Sequence, residues 1–327
     1  MAGRASGLVS KPTYSYPNAT MRLHPTGKFD NAPLPCEHIE VKPLAAAMGA
    51  EILGVSIPDI TDEQFAEVRQ ALFRHKMIFL RGQRLSHAEQ EAFSLRFGPF
   101  AEDAYTSGVP GHPNVHPLIK EEDDESKMVF GSGWHTDSPF LLQPPAVTLL
   151  RAVEVPPYGG DTIWANSALA YAMLSDTYKA MIADLKVHFS MRDVLRSARA
   201  AVEPRDTPMG RLGALGAADE LPDHVQRKVE GSVHPLVRNH PVTGEKALYI
   251  DLTYAVGIDG MTDEEARPVL DYLANFVVQA EFTCRLRWAP DTIVMWDNCG
   301  AVHQAFNDYQ GYRREMYRTT VAGTTPV

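Results

Sequence analysis

Short β-like runs dominate the chain from residue 128 to its C-terminal end, and this pattern constrains the fold more than any other feature. Seven runs of five to seven residues are apolar or alternate between apolar and polar residues, as strands do. They cover residues 146–152, 161–165, 233–238, 247–251, 282–288, 292–296 and 315–321. Helical patterns interrupt them at 167–174, 176–185 and 263–280. Short strands spread so widely favour an antiparallel β-sandwich or barrel with flanking helices.

The N-terminal third adds two helices with clear start signals. Thr61 with Gln64, and Ser86 with Glu89, form capping-box pairs, which mark helix N-termini. Short strands are predicted at 39–44, 51–57 and 77–80. Residues 1–37 are rich in Pro, Gly, Ser and Asn and predict an extended N-terminal arm.

Two segments interrupt the regular pattern. Residues 100–127 contain prolines, glycines and an acidic cluster, which predict a long irregular surface loop. Residues 192–232 lack a strong amphipathic period and predict an insertion. We expect one domain at 38–327, with these two segments as lids over its active site.

Composition excludes several classes of protein. The chain has 31 Lys and Arg against 41 Asp and Glu, giving a net charge of −10, without the basic cluster that nucleic-acid binding requires. It contains no apolar stretch of 18 or more residues, so we expect no membrane span. Three scattered cysteines argue against a disulfide framework and fit a reducing compartment. A cytoplasmic protein that binds neither nucleic acid nor membrane is therefore expected.

The sharpest local feature is the pair His135 and Asp137, two residues apart in Trp-His-Thr-Asp. On an extended strand both side chains point to one face, so an imidazole and a carboxylate can meet one ion. His303, in the polar turn region that follows an apolar run, is the best third ligand. Two histidines and one carboxylate form the facial triad of non-haem Fe(II) oxygenases, which leaves three coordination positions open. The sequence therefore predicts an Fe(II) site at these three residues, with room for dioxygen.

Two arginines follow the third predicted ligand. If 2-oxoglutarate chelates the iron, its distal carboxylate needs a cation, and Arg314 can provide a bidentate guanidinium. Arg318 lies four residues further on the same strand face, where it can bind an anionic substrate. Arg313 is predicted to point away from the site.

These features are part of a longer resemblance, from about residue 38 to 321. Its ordered blocks are residues 41–44 with 48–52, 96–98, 134–137, 159–162, 234–237 with 240–244, 296–298, 303, 307–309, 314 and 318. In these blocks the sequence resembles the Fe(II)- and 2-oxoglutarate-dependent dioxygenases of the taurine dioxygenase and 2,4-dichlorophenoxyacetate dioxygenase (TauD/TfdA) family.

The resemblance implies a mostly β protein with a double-stranded β-helix core, also called a jelly roll, of cupin-like type. It places His135, Asp137 and His303 on iron as the catalytic metal ligands. It assigns Thr162 and Arg314 to 2-oxoglutarate and commonly gives Arg318 to the acidic group of the substrate. The implied reaction hydroxylates a small organic acid with dioxygen and releases succinate and CO₂. The resemblance also implies a homodimer or homotetramer.

Positions that contact taurine in members of the family differ here. The corresponding residues are Asp103, Thr106 and Gly131, which makes taurine itself doubtful and leaves Asp103 and Gly131 as candidate substrate contacts. We therefore expect a small anionic substrate such as a sulfonate, an aryloxyalkanoate, a sulfate ester or a similar acid.

Two other functional hypotheses remain at this point. A non-enzymatic protein that binds a small acid on a jelly-roll scaffold is the main alternative, and a zinc hydrolase is a weaker one, because it leaves the paired arginines and Thr162 unexplained. The further histidines His234 and His240 are expected to support the barrel rather than bind metal.

Overall fold

The computed structural model describes residues 28–102, 108–124, 126, 131–201 and 221–327. The N-terminal part contains β1 (Glu40–Pro43), β2 (Ala50–Leu53), α1 (Asp62–His75), β3 (Met77–Leu80), α2 (His87–Leu95) and β4 (His116–Lys120). The middle part contains β5 (Val147–Glu154), β6 (Thr162–Asn166), α3 (Ser167–Met173), α4 (Asp176–Ile182), β7 (Lys186–Phe189), α5 (Arg192–Ala201) and α6 (Asp223–Glu230). Short 3₁₀ turns lie at Ile57–Asp59 and Ala280–Phe282.

The C-terminal part returns to short strands. They are β8 (Ser232–Pro235), β9 (Val237–Asn239), β10 (Lys246–Leu248), β11 (Ala255–Ile258), β12 (Thr283–Leu286), β13 (Thr292–Asp297), β14 (Ala301–Ala305) and β15 (Arg314–Val321), with α7 (Asp263–Val277) before β12. The prediction of a mostly β protein with flanking helices is confirmed. None of the helices in the described ranges is long and apolar enough to cross a membrane.

The largest sheet has seven strands in the order β1-β2-β3-β13-β5-β15-β4. Its neighbours pair antiparallel except β2 and β3, which are parallel. A second layer is built from smaller antiparallel sheets, β12-β6-β14 and β11-β7-β8, together with the β9-β10 pair. The two functional regions predicted from sequence therefore lie on different sheets, with Arg314 and Arg318 on β15 and His303 on β14.

The seven-stranded sheet is buried on both faces, which explains why its central strands are apolar without alternation. On β13, Ile293 and Met295 pack towards the apolar faces of α1 and α2. Their neighbours Val294 and Trp296 pack in the opposite direction, in the same cluster as Trp164 of β6. Because side chains alternate along a strand, one continuous apolar run supplies both cores. The core between the sheets is the one that encloses the predicted site.

Two sequence expectations are wrong in the described parts of the lid segments. Residues 100–127 were expected to be irregular, but 116–120 form β4, paired with β15. Pro117 disguises this strand, and it is tolerated because β4 is the edge strand of the sheet. The ends of the 192–232 insertion form α5 and α6, whose Leu195, Ala198 and Val225 enter the core.

The remaining residues of the two lid segments, 103–107, 125, 127 and 202–220, lie outside the described ranges, as do residues 128–130 and residues 1–27 of the expected arm. The lid function and the boundary between arm and domain stay predictions.

Candidate metal centre

A short backbone pairing brings the two predicted histidine ligands together. The N–H of His135 donates to the carbonyl of His303 (2.9 Å), and the N–H of His303 donates to the carbonyl of His135 (2.7 Å). Their rings lie side by side with centroids 4.1 Å apart. His303 is fixed as part of β14, whereas the segment around His135 makes a single bridge and is not a strand as expected. Two segments far apart in sequence thus present their imidazoles at one point.

Asp137 completes the group. Its Oδ1 lies 3.8 Å from Nε2 of His135 and 3.8 Å from Nε2 of His303. The ligand atoms of all three residues lie within 4.8 Å of one another, and the three side chains are largely buried. The convergence predicted from the sequence is therefore present in the structure.

Hydrogen bonds fix the orientation of the two N-terminal ligands. His135 Nδ1 lies 2.8 Å from the carbonyl of Gly133, which places the proton on Nδ1 and the lone pair on Nε2. Thr148 on β5 donates its hydroxyl to Asp137 Oδ2 (2.5 Å) and accepts from the Asn298 amide (2.9 Å). One oxygen of Asp137 is thereby held in place, and the other faces the imidazoles.

His303 is oriented by packing instead. Its ring lies 4.7 Å from the ring of Trp296, centroid to centroid, and its Nδ1 has no hydrogen-bond partner among the described residues. Trp296 is itself tied by its indole N–H to Asn298 (3.0 Å). Asn298 therefore supports the three predicted ligands indirectly. Its amide donates to Thr148, which holds Asp137, and its oxygen accepts from Trp296, which packs against His303.

The charge states suit metal binding. Burial lowers the pKa of His303 to about 3, so its imidazole is neutral and has a lone pair to donate at neutral pH. Burial alone would raise the pKa of Asp137, but its interactions with His303, Arg318 and His135 and the hydrogen bond from Thr148 outweigh burial and hold that pKa below its usual range. Neutral imidazole and ionised carboxylate are donor groups that divalent iron accepts. The residues present therefore fit a ferrous ion.

Asp251 belongs to the site and was missed by the sequence analysis. It follows β10 and is buried, and its Oδ2 accepts the backbone N–H of Thr136, the residue between two of the predicted ligands (2.6 Å). Burial raises the pKa of Asp251 to about 6, and His135 and the backbone N–H groups oppose the shift. No motif marks this residue, because its partner is more than a hundred residues away in the sequence.

One cavity joins the three ligands to the predicted cosubstrate residues. Its wall includes Thr162 and Arg314, and its apolar lining comes from Leu118, Leu150, Tyr254, Trp296 and Ala305. Thr162 opens β6, and its hydroxyl oxygen accepts the indole N–H of Trp288 (3.0 Å). That bond leaves the Thr162 hydroxyl proton available to donate to an acceptor in the cavity. Trp288 is a second residue that the sequence analysis missed.

Arg314 is the clearest sign that the cavity receives an anion. The side chain is buried, its Nε has no hydrogen-bond partner, and no carboxylate counters its charge among the described residues. Burial lowers the pKa of the guanidinium, and the neighbouring Tyr309 opposes this shift. The rings of Trp288 and Tyr309 flank it at 5.8 and 5.9 Å. A buried cation without a counterion is costly, so a carboxylate ligand would stabilise it.

Arg318 lies on the same face of β15 and also lines the cavity, as predicted. It is half-buried and acts electrostatically on both Asp137 and His303. Arg313 points the other way, where its guanidinium contacts Glu121, Glu154 and Glu315 at 2.6 to 2.9 Å. The strand alternation thus separates one surface arginine from two cavity arginines.

Of the candidate substrate residues predicted from the loop regions, Gly131 lies in the described part of the chain. Gly131 lines the cavity, its φ is +78°, and a Cβ there would lie 3.1 Å from Cε1 of His135. Glycine therefore keeps the space beside this imidazole open. Asp103 and Thr106 lie outside the described residues. Contact of Gly131 or Asp103 with a substrate stays a prediction.

In a second cluster of possible ligands, His240, Asp297 and Cys299, the ligand atoms are engaged in hydrogen bonds within the protein. His240 Nε2 donates to Asp297 (2.9 Å), and its Nδ1 accepts two backbone N–H groups. Burial raises the pKa of the Cys299 thiol to about 12, and its sulfur accepts a bond from Arg238 (3.0 Å). His234 likewise bonds to a backbone carbonyl, that of Leu141 (2.9 Å). Both histidines make the structural contacts expected of them.

The comparisons with known proteins agree with this geometry. Residues 40–320 match the model of the family described as taurine catabolism dioxygenase TauD, TfdA family. An alpha-ketoglutarate-dependent sulfate ester dioxygenase of Pseudomonas putida is 32% identical over 299 residues, covering 88% of this chain and 91% of the relative. An alkylsulfatase of Acinetobacter baylyi is 30% identical over 291 residues, covering 88% and 86%.

A solved structure extends the similarity to three dimensions. A taurine dioxygenase from Burkholderia xenovorans has a TM-score of 0.72 and 34% identity, and the match covers 89% of this chain and 93% of that chain. This neighbour confirms the predicted jelly-roll core, and the relatives confirm the predicted class of 2-oxoglutarate-dependent dioxygenase, with alpha-ketoglutarate as the other name of that cosubstrate. The chain belongs to the TauD, TfdA family of taurine catabolism dioxygenases.

Proposed function

We propose that this enzyme uses Fe(II), dioxygen and 2-oxoglutarate to hydroxylate a small anionic organic substrate, with release of succinate and CO₂. The observation that carries the proposal is the shared cavity of His135, Asp137 and His303 with the buried Arg314, whose charge no carboxylate of the described residues counters. The triad leaves three metal positions open, which suit the 2-oxo acid end of a 2-oxo diacid. The Arg314 guanidinium in the same cavity suits the carboxylate at its other end.

Each residue has a separate task in this proposal. His135, Asp137 and His303 hold the iron, which supplies the oxidative chemistry when 2-oxoglutarate and dioxygen are bound. Arg314 forms a bidentate pair with the distal carboxylate, and Thr162 donates its hydroxyl to the same group. The apolar wall around them excludes water from the reacting atoms.

The substrate is proposed to be an acid with an apolar body. Arg318 is the second cation that the described cavity wall offers, so it is assigned to the anionic group of the substrate. Leu118, Leu150 and Ala305 give the cavity its apolar wall and suit an alkyl or aryl part. Relatives named for sulfate ester and alkyl sulfate chemistry support a sulfate ester, and sulfonates and aryloxyalkanoates remain in the proposed class.

The binding-protein alternative is not favoured, because the relatives that cover most of this chain are named as enzymes. A zinc hydrolase has no use for the uncompensated Arg314. The proposal also retains a homodimer or homotetramer, on the family resemblance, and a cytoplasmic location, on the few scattered cysteines. Size-exclusion chromatography with light scattering tests the predicted oligomeric state.

A succinate-release assay tests the proposed function. The full-length chain is incubated with Fe(II), ascorbate, 2-oxoglutarate and one acid at a time, from a panel of alkyl sulfates, sulfonates and aryloxyalkanoates. We expect succinate formation that is coupled to loss of one acid of the panel and is absent without Fe(II). Binding of 2-oxoglutarate without succinate from any acid would contradict the proposal and favour the binding protein.

A further inference from the structure

Asp251 is a buried carboxylate that accepts backbone hydrogen bonds on both of its oxygens. Besides the Thr136 N–H on Oδ2 (2.6 Å), its Oδ1 accepts the backbone N–H groups of Thr253 and Tyr254, both at 2.7 Å. Its exposed fraction is 1%. Three short bonds from backbone donors make this side chain a junction between two segments that are distant in the sequence.

The first of these segments carries two of the proposed metal ligands. Thr136 lies between His135 and Asp137, so its backbone N–H fixes the peptide plane that separates them. This segment is irregular apart from a single strand bridge and has no regular ladder to hold it. A second tether reinforces the first, because the Thr253 hydroxyl donates to the carbonyl of Trp134 (3.0 Å).

The second segment carries part of the cavity wall. Tyr254 lines the cavity, and its ring packs edge-on against Phe140 with centroids 5.1 Å apart. Asp251 Oδ1 accepts the Tyr254 N–H and so fixes the position of the Tyr254 backbone in the cavity wall. The same carboxylate therefore keeps the segment with the proposed metal ligands His135 and Asp137 at a constant distance from Tyr254.

We propose that Asp251 is a positioning residue. It acts as a clamp that holds the His135–Asp137 segment at a fixed distance from Tyr254 in the cavity wall, so that the metal ligands are in position before the ion binds. The inference rests on the proposed function, since it requires these two residues to be metal ligands. Asp251 itself bonds to backbone groups and does not join the ligand cluster. Residues that orient metal ligands in this way typically affect metal affinity by about 10- to 100-fold.

Asp251→Asn tests the clamp. The amide has the shape of the carboxylate but offers one acceptor oxygen, so its NH₂ group must face a backbone N–H on one side of the clamp. We expect Mn(II), used as the probe, to bind the purified full-length variant about 10-fold or more weakly by calorimetry. Asp259→Asn is the matched control, because Asp259 is exposed and lies outside the site, and it should bind Mn(II) like the wild type.

The outcomes separate the inference from the function on which it rests. If the wild type fails to bind Mn(II), the proposed metal site is wrong. If the wild type binds and folded Asp251→Asn binds within about twofold of it, the clamp is refuted, whatever the variant does to the melting temperature of the metal-free protein. Loss of thermal stability without loss of affinity would make Asp251 a purely structural residue.

Thr253→Ala keeps the inference testable if Asp251→Asn does not fold. It removes the second tether to Trp134 and leaves the Asp251 carboxylate in place. One neutral hydrogen bond corresponds to about a fivefold loss of Mn(II) affinity. Affinity equal to that of the wild type in this variant would also refute the clamp.

Discussion

At the scale of single residues, Asp137 shows how one carboxylate divides its two oxygens. The Thr148 hydroxyl holds Oδ2, and Oδ1 faces both imidazoles. This division keeps the anion buried without leaving both oxygens satisfied by protein. An ion at the centre would supply the missing partner, which is why the side chain is well suited to a metal.

Asp137→Ala removes the anionic ligand and should abolish tight metal binding. Two neutral imidazoles bind a divalent ion without charge compensation, so we expect Mn(II) affinity to fall by about 100-fold or more and succinate formation to disappear. Calorimetry with Mn(II) measures the first effect. A variant that retained wild-type affinity would show that Asp137 is not a ligand.

Three arginines at or next to β15, namely Arg313, Arg314 and Arg318, allow a controlled separation of roles. We expect Arg314→Ala to raise the KM for 2-oxoglutarate by about 10- to 100-fold, since a bidentate charged pair is lost. Arg318→Ala should chiefly raise the KM for the acidic substrate. Arg313→Ala, which removes only a surface cation, should change neither value by more than about twofold. Equal effects of the two cavity variants on both ligands would contradict the assignment.

Sequence reasoning found the residues that carry their own chemistry. The His-x-Asp spacing, the later histidine and the arginine pair indicate one site because their residue types are rare in such an order. Thr148, Trp288 and Asp251 were missed, since each acts through a hydrogen bond to a residue on a different strand or turn. Such partners are decided by the tertiary fold and leave no spacing in the sequence.

At the scale of elements, α1 is tied to the chain before β1 by a buried pair. His75, the last residue of α1, lies 2.7 Å from the Asn31 oxygen through its Nδ1. Burial lowers the pKa of His75 to about 4, and the charges of Arg74 and Lys76 add to this effect. The imidazole is therefore neutral in the folded protein at neutral pH.

This pair predicts a loss of stability in mild acid. The unfolded chain binds a proton at His75 near pH 6.5, whereas the folded chain does so only near pH 4, so the free energy of unfolding falls as the pH drops between these values. Urea unfolding at pH 7 and pH 5 should show a smaller difference for His75→Gln than for the wild type. Equal differences in both proteins would rule out His75 as the cause.

The elements were predictable where local signals agree with the fold. Capping boxes are present at Thr61, Ser86 and Thr262, and the strand predicted at 77–80 has those bounds as β3. The failures are β4, α5 and α6. The edge strand β4 is disguised by its proline. Helices α5 and α6 have an amphipathic spacing, seen in Val194, Leu195 and Ala198 of α5, but it is short and lies in a segment rich in Arg, Gly and Pro, and the sequence analysis missed it.

At the scale of the whole molecule, ligand binding should appear as a gain in global stability. Each ligand that binds only the folded state, the metal or the diacid, stabilises it by about 2.7 kcal/mol when present at 100 times its dissociation constant. We expect Mn(II) with 2-oxoglutarate to raise the melting temperature by several degrees, and a chelator to reverse the effect. Asp137→Ala should show no such rise, and an equal rise in that variant would place the ion elsewhere.

The backbone pairing of His135 with His303 also has a consequence for synthesis. One imidazole comes from residue 135 and the other from residue 303, with more than half of the described domain between them in the sequence. A ribosome must therefore have translated past His303 before the iron pocket can close. A nascent polypeptide that stops short of β14 lacks one of the two imidazoles and cannot assemble the reactive centre.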